Sequence, residues 1–225
     1  MTAPAGLVPL DPSAVRAVLA DDGGNPLSAF ASDVDGPAGS SLPGGATALV
    51  DAVGAWLGVR ERRVAASLVV LGYSARLLGP TVRLAHAGVV VDASPGAVRY
   101  SFAPGVGFRI GLTATVGWSG PAPAVAAHWC RAVLDEHLGL LIAAVRADTP
   151  VAAALLWGNV ASGLVGAARA CGASAFLDTV RAHGPLHGAF RTGSFVRRTC
   201  CLYYRLPGGG YCGDCPLPHT TKGRR

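Results

Sequence analysis

The residues able to do chemistry are concentrated in one stretch, RRTCCLYYRLPGGGYCGDCP, from Arg197 to Pro216. It places Cys200 and Cys201 side by side and Cys212 and Cys215 as a C-x2-C pair. Thiols grouped in this way can cross-link, exchange electrons or hold metal. A bridge between Cys200 and Cys201 is strained, because neighbouring Cα atoms lie about 3.8 Å apart and an ordinary disulfide spans about 5.5 Å. Cys212 and Cys215 alone could form a redox dithiol, but such pairs sit near a βαβ unit, and no such pattern precedes this one. Four-cysteine zinc sites usually combine two C-x2-C-like knuckles; the second pair fits that form and the adjacent first pair does not. A [2Fe–2S] cluster takes four thiolates shared between two irons, and two metal centres leave more room for neighbouring thiolates than one ion does.

The residues around the cysteines suit the cluster. Gly208, Gly209 and Gly210 follow Pro207. They can adopt φ values closed to other residues, and their N–H groups are expected to approach the sulfides. Two ferric ions, two sulfides and four thiolates carry a net double negative charge, and reduction adds a third. Arg197, Arg198 and Arg205 flank the thiols, so they would favour the reduced state and raise the potential. Tyr203, Tyr204 and Tyr211 lie in the same segment and are expected to cover the cluster or touch a substrate. Cys130 and Cys171, on or at the end of predicted helices, read as small buried apolar residues. His219 is a conceivable further ligand, but four thiolates already complete a set.

The pattern C-C-x10-C-x2-C resembles the C-terminal signature of the FhuF family of ferric siderophore reductases. ALLWGNVASGLVGAAR, Ala154 to Arg169, is similar to a helix of such proteins. The resemblance implies a [2Fe–2S] cluster held by Cys200, Cys201, Cys212 and Cys215, and one-electron reduction of siderophore-bound Fe(III). The implied partners are a ferric siderophore, of hydroxamate type, and an external electron donor such as a ferredoxin or a flavoprotein reductase. The chemistry has a simple logic. Siderophores hold Fe(III) through hard oxygen donors, and Fe(II) binds them far more weakly, so one electron releases the metal. No general acid, base or nucleophile is required, and the sequence offers no convincing constellation of that kind. There is also no G-x-G-x-x-G after a strand, so a built-in nicotinamide or flavin site is not expected. The alternative from another class is a non-catalytic protein that senses iron or binds a siderophore, its cluster or zinc ion being structural or regulatory.

These residues must be positioned by a body that reads as mostly helical. DPSAVRAVLA, residues 11–20, predicts a short helix, and the Gly/Pro-rich residues 21–46 predict a loop. Helix is expected from Thr47 to Trp56 and again from Val64, where Val64, Leu68, Leu71, Ala75 and Leu78 line one face until Gly79-Pro80 ends it. VRLAHAGVVVD, a turn at Ala93–Gly96 and AVRYSF predict a β-hairpin, which the segment from Gly105 to Trp118 could extend. Further helices are expected over Val125–Ala147, with Leu134, Leu138, Leu141 and Val145 as the apolar stripe, over Pro150–Ala170, and over Ala175–Ala182. Asn159, inside an apolar helix, is a candidate for a buried hydrogen bond. Each tryptophan reads first as core. The expected class is α+β, predominantly helical: a mixed N-terminal half with a small antiparallel β element, then a helical half ending in the cysteine segment. Residues 1–190 would be the body, with an internal boundary near 121–124, and residues 191–225 the cluster-binding segment.

Composition agrees with a folded body. Of the 225 residues, 14% are charged and 51% apolar, which allows a large core. The net charge of +6 resides in residues 191–225, where seven basic residues face Asp214 alone, so residues 1–190 balance to zero. No helix carries a basic face, which counts against nucleic-acid binding. The N-terminal residues lack a basic stretch followed by an apolar run, so no signal peptide is expected. The longest uncharged run, Thr149 to Ala168, holds a proline, an asparagine and three glycines and reads as a buried helix rather than a membrane span. With six cysteines, the expected compartment is the reducing cytoplasm, peripheral attachment at the inner face of the membrane staying open.

Overall fold

The computed structural model describes residues 3–20, 30–31 and 46–218 in full, and the backbone of 219–220. The loop expected over 21–46 falls almost wholly outside the described residues. The architecture is α+β and predominantly helical. Strand β1 (Val8–Pro9) and helix α1 (Pro12–Ala20) precede α2 (Ala46–Leu57) and the long α3 (Arg62–His86). Four strands follow: β2 (Val89–Val91), β3 (Val98–Ala103), β4 (Gly107–Leu112) and β5 (Gly117–Ser119). The chain then becomes helical again, with α4 (Ala122–Trp129), α5 (Gly139–Asp148), α6 (Ala153–Ala170) and α7 (Ser174–Val180). The last short helix is α8 (Leu217–Thr220).

Helix α3 is the axle of the fold, and two expectations about this region are corrected there. Pro80 does not end the helix, which continues one and a half turns further to His86. A proline inside a helix removes one backbone hydrogen bond and costs about 3 kcal/mol. Here Leu78, Pro80, Val82 and Leu84 are all buried, so burial of the last turns outweighs that cost. The predicted hairpin also dissolves. Its first arm is partly the end of α3, and Val89–Val91 pairs antiparallel with β5, not with β3. The turn at Ser94–Ala97 exists, with the Ala97 N–H donating to Ser94 O, but it carries the chain from one sheet to another. β3 pairs with β4 across Ala103–Gly107. Both small sheets are antiparallel, in the orders β1-β5-β2 and β3-β4.

The apolar stripe of the later helix is as expected: Leu134, Leu138, Leu141 and Val145 are fully buried. Between α4 and α5 the turns widen over Cys130–Leu138 to a π-helical form. There His137 is buried, accepts a hydrogen bond from the Tyr73 hydroxyl at Nε2 and donates from Nδ1 to Ala93 O, both at 2.7 Å. Burial lowers its pKa to about 4, so it is neutral. One core joins residues from Leu7 to Leu186. Helix α6 packs along α3 through small residues; a Cβ on Gly163 would lie 3.2 Å from Leu78. Among the described residues, α3 alone is long and apolar enough to cross a membrane, and 78% of that stretch is buried inside the protein, as in a core helix.

Candidate metal centre

The stripe read from the sequence on α3 has a specific use. Val64 and Leu68 form a separate small cluster with Leu202, the residue after Cys201, with Leu71, Leu155 and Leu206 packed around it. The cysteine segment is therefore seated on α3 by an apolar contact. Leu202 has φ +66°, a left-handed conformation that is uncommon for a leucine. That turn aims its own N–H at Cys200 Sγ, 3.3 Å away. The Ser67 hydroxyl donates to Cys201 O at 2.7 Å, fixing the same dipeptide from beneath.

A second anchor comes from α6. Asn159 is fully buried; its Nδ2 donates to Ser67 O and Oγ at 2.8 and 2.9 Å, and its Oδ1 accepts from Arg197 Nη1 at 2.8 Å. Arg197 is itself fully buried and donates from Nη2 to Cys212 Sγ at 2.7 Å. Its Nε lies 2.8 Å from Asp214 Oδ2, close enough for an ion pair, although that N–H points at no hydrogen-bond acceptor. Burial opposes the arginine's charge, but Cys201, Asp214 and Cys212 outweigh it and hold the guanidinium above its ordinary pKa. Next along α6, Gly158 admits Thr199: a Cβ there would stand 2.3 Å from Thr199 Oγ1. That hydroxyl donates to Ala154 O. The residue before Cys200 thus rests on the helix backbone.

The four thiols fall into two pairs that cross the sequence pairs. Cys201 Sγ and Cys212 Sγ are 3.6 Å apart. Cys200 is in side-chain contact with Cys215. All are free thiols. Burial raises the Cys212 thiol to about 12, with Arg197 pulling the other way, and burial likewise raises Cys200, opposed by the Leu202 N–H. Two sulfurs on one tetrahedral ion with bonds of about 2.3 Å stand roughly 3.7 Å apart, close to the separation of Cys201 and Cys212. Among the described residues, no three His, Cys, Asp or Glu side chains converge as for a single ion. Two paired sets of sulfurs and a buried donor without an acceptor fit a two-iron cluster with acceptor sulfides better than one zinc.

The other residues singled out by sequence divide sharply. Of the three arginines, Arg197 alone meets a cysteine among the described contacts. Arg198 is exposed and donates from Nε to Phe190 O. Arg205 pairs with Glu61 and donates to the Tyr204 hydroxyl. Tyr203 and Tyr204 are exposed on a 3-10 turn (Tyr203–Arg205), and the Tyr204 ring packs against Tyr211 at 6.3 Å. In the glycine run, the Gly209 N–H bonds to Leu206 O within the turn. What the run supplies there is space: a Cβ on Gly209 would lie 2.3 Å from Tyr203 O, and Gly208 has φ +71°. Cys130 is buried with its thiol raised to about 12 by desolvation, and Cys171 donates to Ala167 O; both behave as structural residues. The His219 side chain lies outside the described residues. Ser67, Gly158 and Asp214 were not singled out by sequence, because their roles exist only once α3, α6 and the C-terminal segment meet.

Compared with known families, residues 197–217 match the FhuF 2Fe-2S C-terminal domain. No curated protein matches the chain. The match and the clustered cysteines give the cofactor as a [2Fe–2S] cluster and the segment as that of an iron–sulfur redox protein.

Proposed function

From a FhuF-type [2Fe–2S] domain seated on a helical body, we propose a ferric-siderophore reductase: one electron passes to siderophore-bound Fe(III), and iron leaves as Fe(II). Cys200, Cys201, Cys212 and Cys215 would hold the cluster. When bound, the cluster supplies a one-electron carrier. The residues around it do the rest. Arg197 sets a fixed positive charge against the Cys212 sulfur, which stabilises thiolate and favours added negative charge. The Leu202 N–H does the same, more weakly, at Cys200. Leu202 and Cys201 are buried against α3, which limits water at one side of the site, while the other side faces the surface through half-exposed Cys200 and Cys212. No proton need move on a side chain for the metal to be released.

The observation that carries this reading is the buried Arg197 bridging Asn159 to Cys212 within two crossed sulfur pairs. An external donor, a reduced ferredoxin or flavoprotein reductase, would supply the electron, and the cytoplasm is the compartment in which both meet.

The test has two stages. Purified protein should show visible absorption that bleaches on dithionite; colourless protein with stoichiometric zinc would reject the cluster. Reduced protein mixed anaerobically with a ferric siderophore and an Fe(II) trap should reoxidise and release trapped iron. Absence of both would leave the non-catalytic, iron-sensing alternative.

A further inference from the structure

The loop between the two cysteine pairs presents an aromatic face that holding a cluster does not account for. Leu202 and Leu206 turn inward, Leu202 clustering with Val64 and Leu68 and Leu206 packed beside it. Between the two leucines a tight turn is closed by the Arg205 N–H on Leu202 O and the Leu206 N–H on Tyr203 O. With its leucines committed to α3, the turn holds Tyr203 and Tyr204 outward, 42% and 37% exposed, and Tyr211 follows at 63%. Small molecules are bound in concave sites that bury most of their surface. Rings that stand out into solvent on a braced turn suit the surface of another protein, where tyrosine is enriched.

These rings belong to a connected surface that reaches a cysteine of the metal centre. Glu61, just before α3, accepts from Arg63 at one carboxylate oxygen, 2.7 Å away, and from Arg205 at the other. Arg205 lies over the Tyr204 ring, 5.7 Å from its centroid, and donates from Nε to the Tyr204 hydroxyl at 3.1 Å. The Tyr204 and Tyr211 rings are 6.3 Å apart. Tyr211 is bonded directly to Cys212, one of the two half-exposed cysteines. The surface is basic as well as aromatic, because Arg63 and Arg205 outnumber Glu61 and Arg60 beside them is also exposed. One carboxylate holds two of the guanidinium groups in place without cancelling their charge, so the face is ordered before any partner arrives.

We propose that this face is the docking surface for the electron donor, and that the donor is an acidic one-electron carrier protein. This rests on the reductase reading. The body up to residue 190 carries no net charge, so a negatively charged partner is drawn to the end of the chain that holds the thiols. Opposite charge at the rim speeds encounter, and the tyrosines supply the rigid contact area. Such redox encounters use small interfaces that release quickly, which a turn of three tyrosines can furnish. One electron leaves the reduced donor and reduces the oxidised centre beside Cys212. No bond forms or breaks, and no proton is required.

Flavodoxin, an acidic flavoprotein, is the probe. Its anionic hydroquinone loses one electron to give the blue neutral semiquinone, which stopped flow can follow on mixing with oxidised, cluster-loaded protein and no siderophore. The second-order rate should fall as salt rises. Arg63→Gln/Arg205→Gln should slow it on the order of tenfold at low salt and flatten the salt dependence. Tyr204→Ala/Tyr211→Ala should slow it comparably while keeping the salt dependence, and Arg63→Lys/Arg205→Lys should keep most of the rate. Arg181→Gln/Arg198→Gln removes the same charge elsewhere and should stay within about threefold of wild type. Visible absorption, and reduction by dithionite, should be alike in all. A wild-type centre that dithionite reduces and the hydroquinone does not, equal slowing by the two arginine-to-glutamine pairs, or wild-type rates in both loop variants would overturn the surface. Fast reduction by flavodoxin with no reoxidation by a ferric siderophore would remove the reductase and leave the surface. Reoxidation by the siderophore alongside any of the overturning results would remove the surface and leave the reductase.

Discussion

Arg197 Nη2 stands 2.7 Å from Cys212 Sγ while Arg197 Nη1 is held by Asn159 Oδ1 at 2.8 Å. A buried guanidinium aimed in this way favours the state with more negative charge on the sulfur. Replacing Arg197 with Gln should therefore lower the reduction potential by on the order of 60–120 mV, one to two decades in a one-electron equilibrium. Arg197→Lys should recover part of the shift, and Arg205→Gln should leave it unchanged. An optical redox titration decides the matter, and an unmoved potential in Arg197→Gln would refute the role.

Gly158 gives a steric prediction with its own rescue. A Cβ at this position meets Thr199 Oγ1 at 2.3 Å but Thr199 Cβ only at 3.7 Å. Gly158→Ala should push Thr199, and with it Cys200, off α6 and cut iron per protein by at least half at normal helical content. Adding Thr199→Ala removes the offending oxygen and should restore the iron. Failure of the double variant to recover would show that the close approach is not what matters.

Asn159 satisfies Ser67 and Arg197 together. Asn159→Ala leaves a buried charge and a buried carbonyl short of partners, which should cost about 2–4 kcal/mol. Ser67→Ala removes one donor to Cys201 O and should cost about 1 kcal/mol. Urea denaturation of the cluster-loaded protein measures both, and equal costs would contradict the network as drawn.

His137 makes stability depend on pH. Its pKa drops from 6.5 to about 4 on burial, so below pH 6.5 the unfolded chain binds a proton that the folded chain does not. Its contribution is complete above 6.5 and is lost as pH falls towards 4. Between pH 7.5 and 5 the loss from this residue should be about 2 kcal/mol. His137→Gln should flatten that part of the profile; an unchanged slope would mean that other groups carry it.

The ligand candidates were legible because spacing alone set them apart: the adjacent pair Cys200-Cys201 and Cys212-x2-Cys215 need no partner elsewhere to be noticed. Asn159 was legible for a similar reason, a polar group in an apolar helix. The arginines were not sorted by sequence, since Arg197, Arg198 and Arg205 are equal in charge and differ only in what tertiary packing puts beside them. The end of α3 was misread because local propensity at Gly79-Pro80 competes with burial of Val82 and Leu84, and burial prevails. The hairpin was misread because a turn signal at Ala93–Gly96 fixes where the chain bends and not which strand it meets.

The crossed sulfur pairs rest on contacts that contain no metal: Leu202 against Val64 and Leu68, Ser67 on Cys201 O, Thr199 on Ala154 O, and Asn159 through Arg197 to Cys212. Packing against α3 and α6 thus shares the entropic cost of ordering the ligands, a cost that small zinc domains leave to the metal.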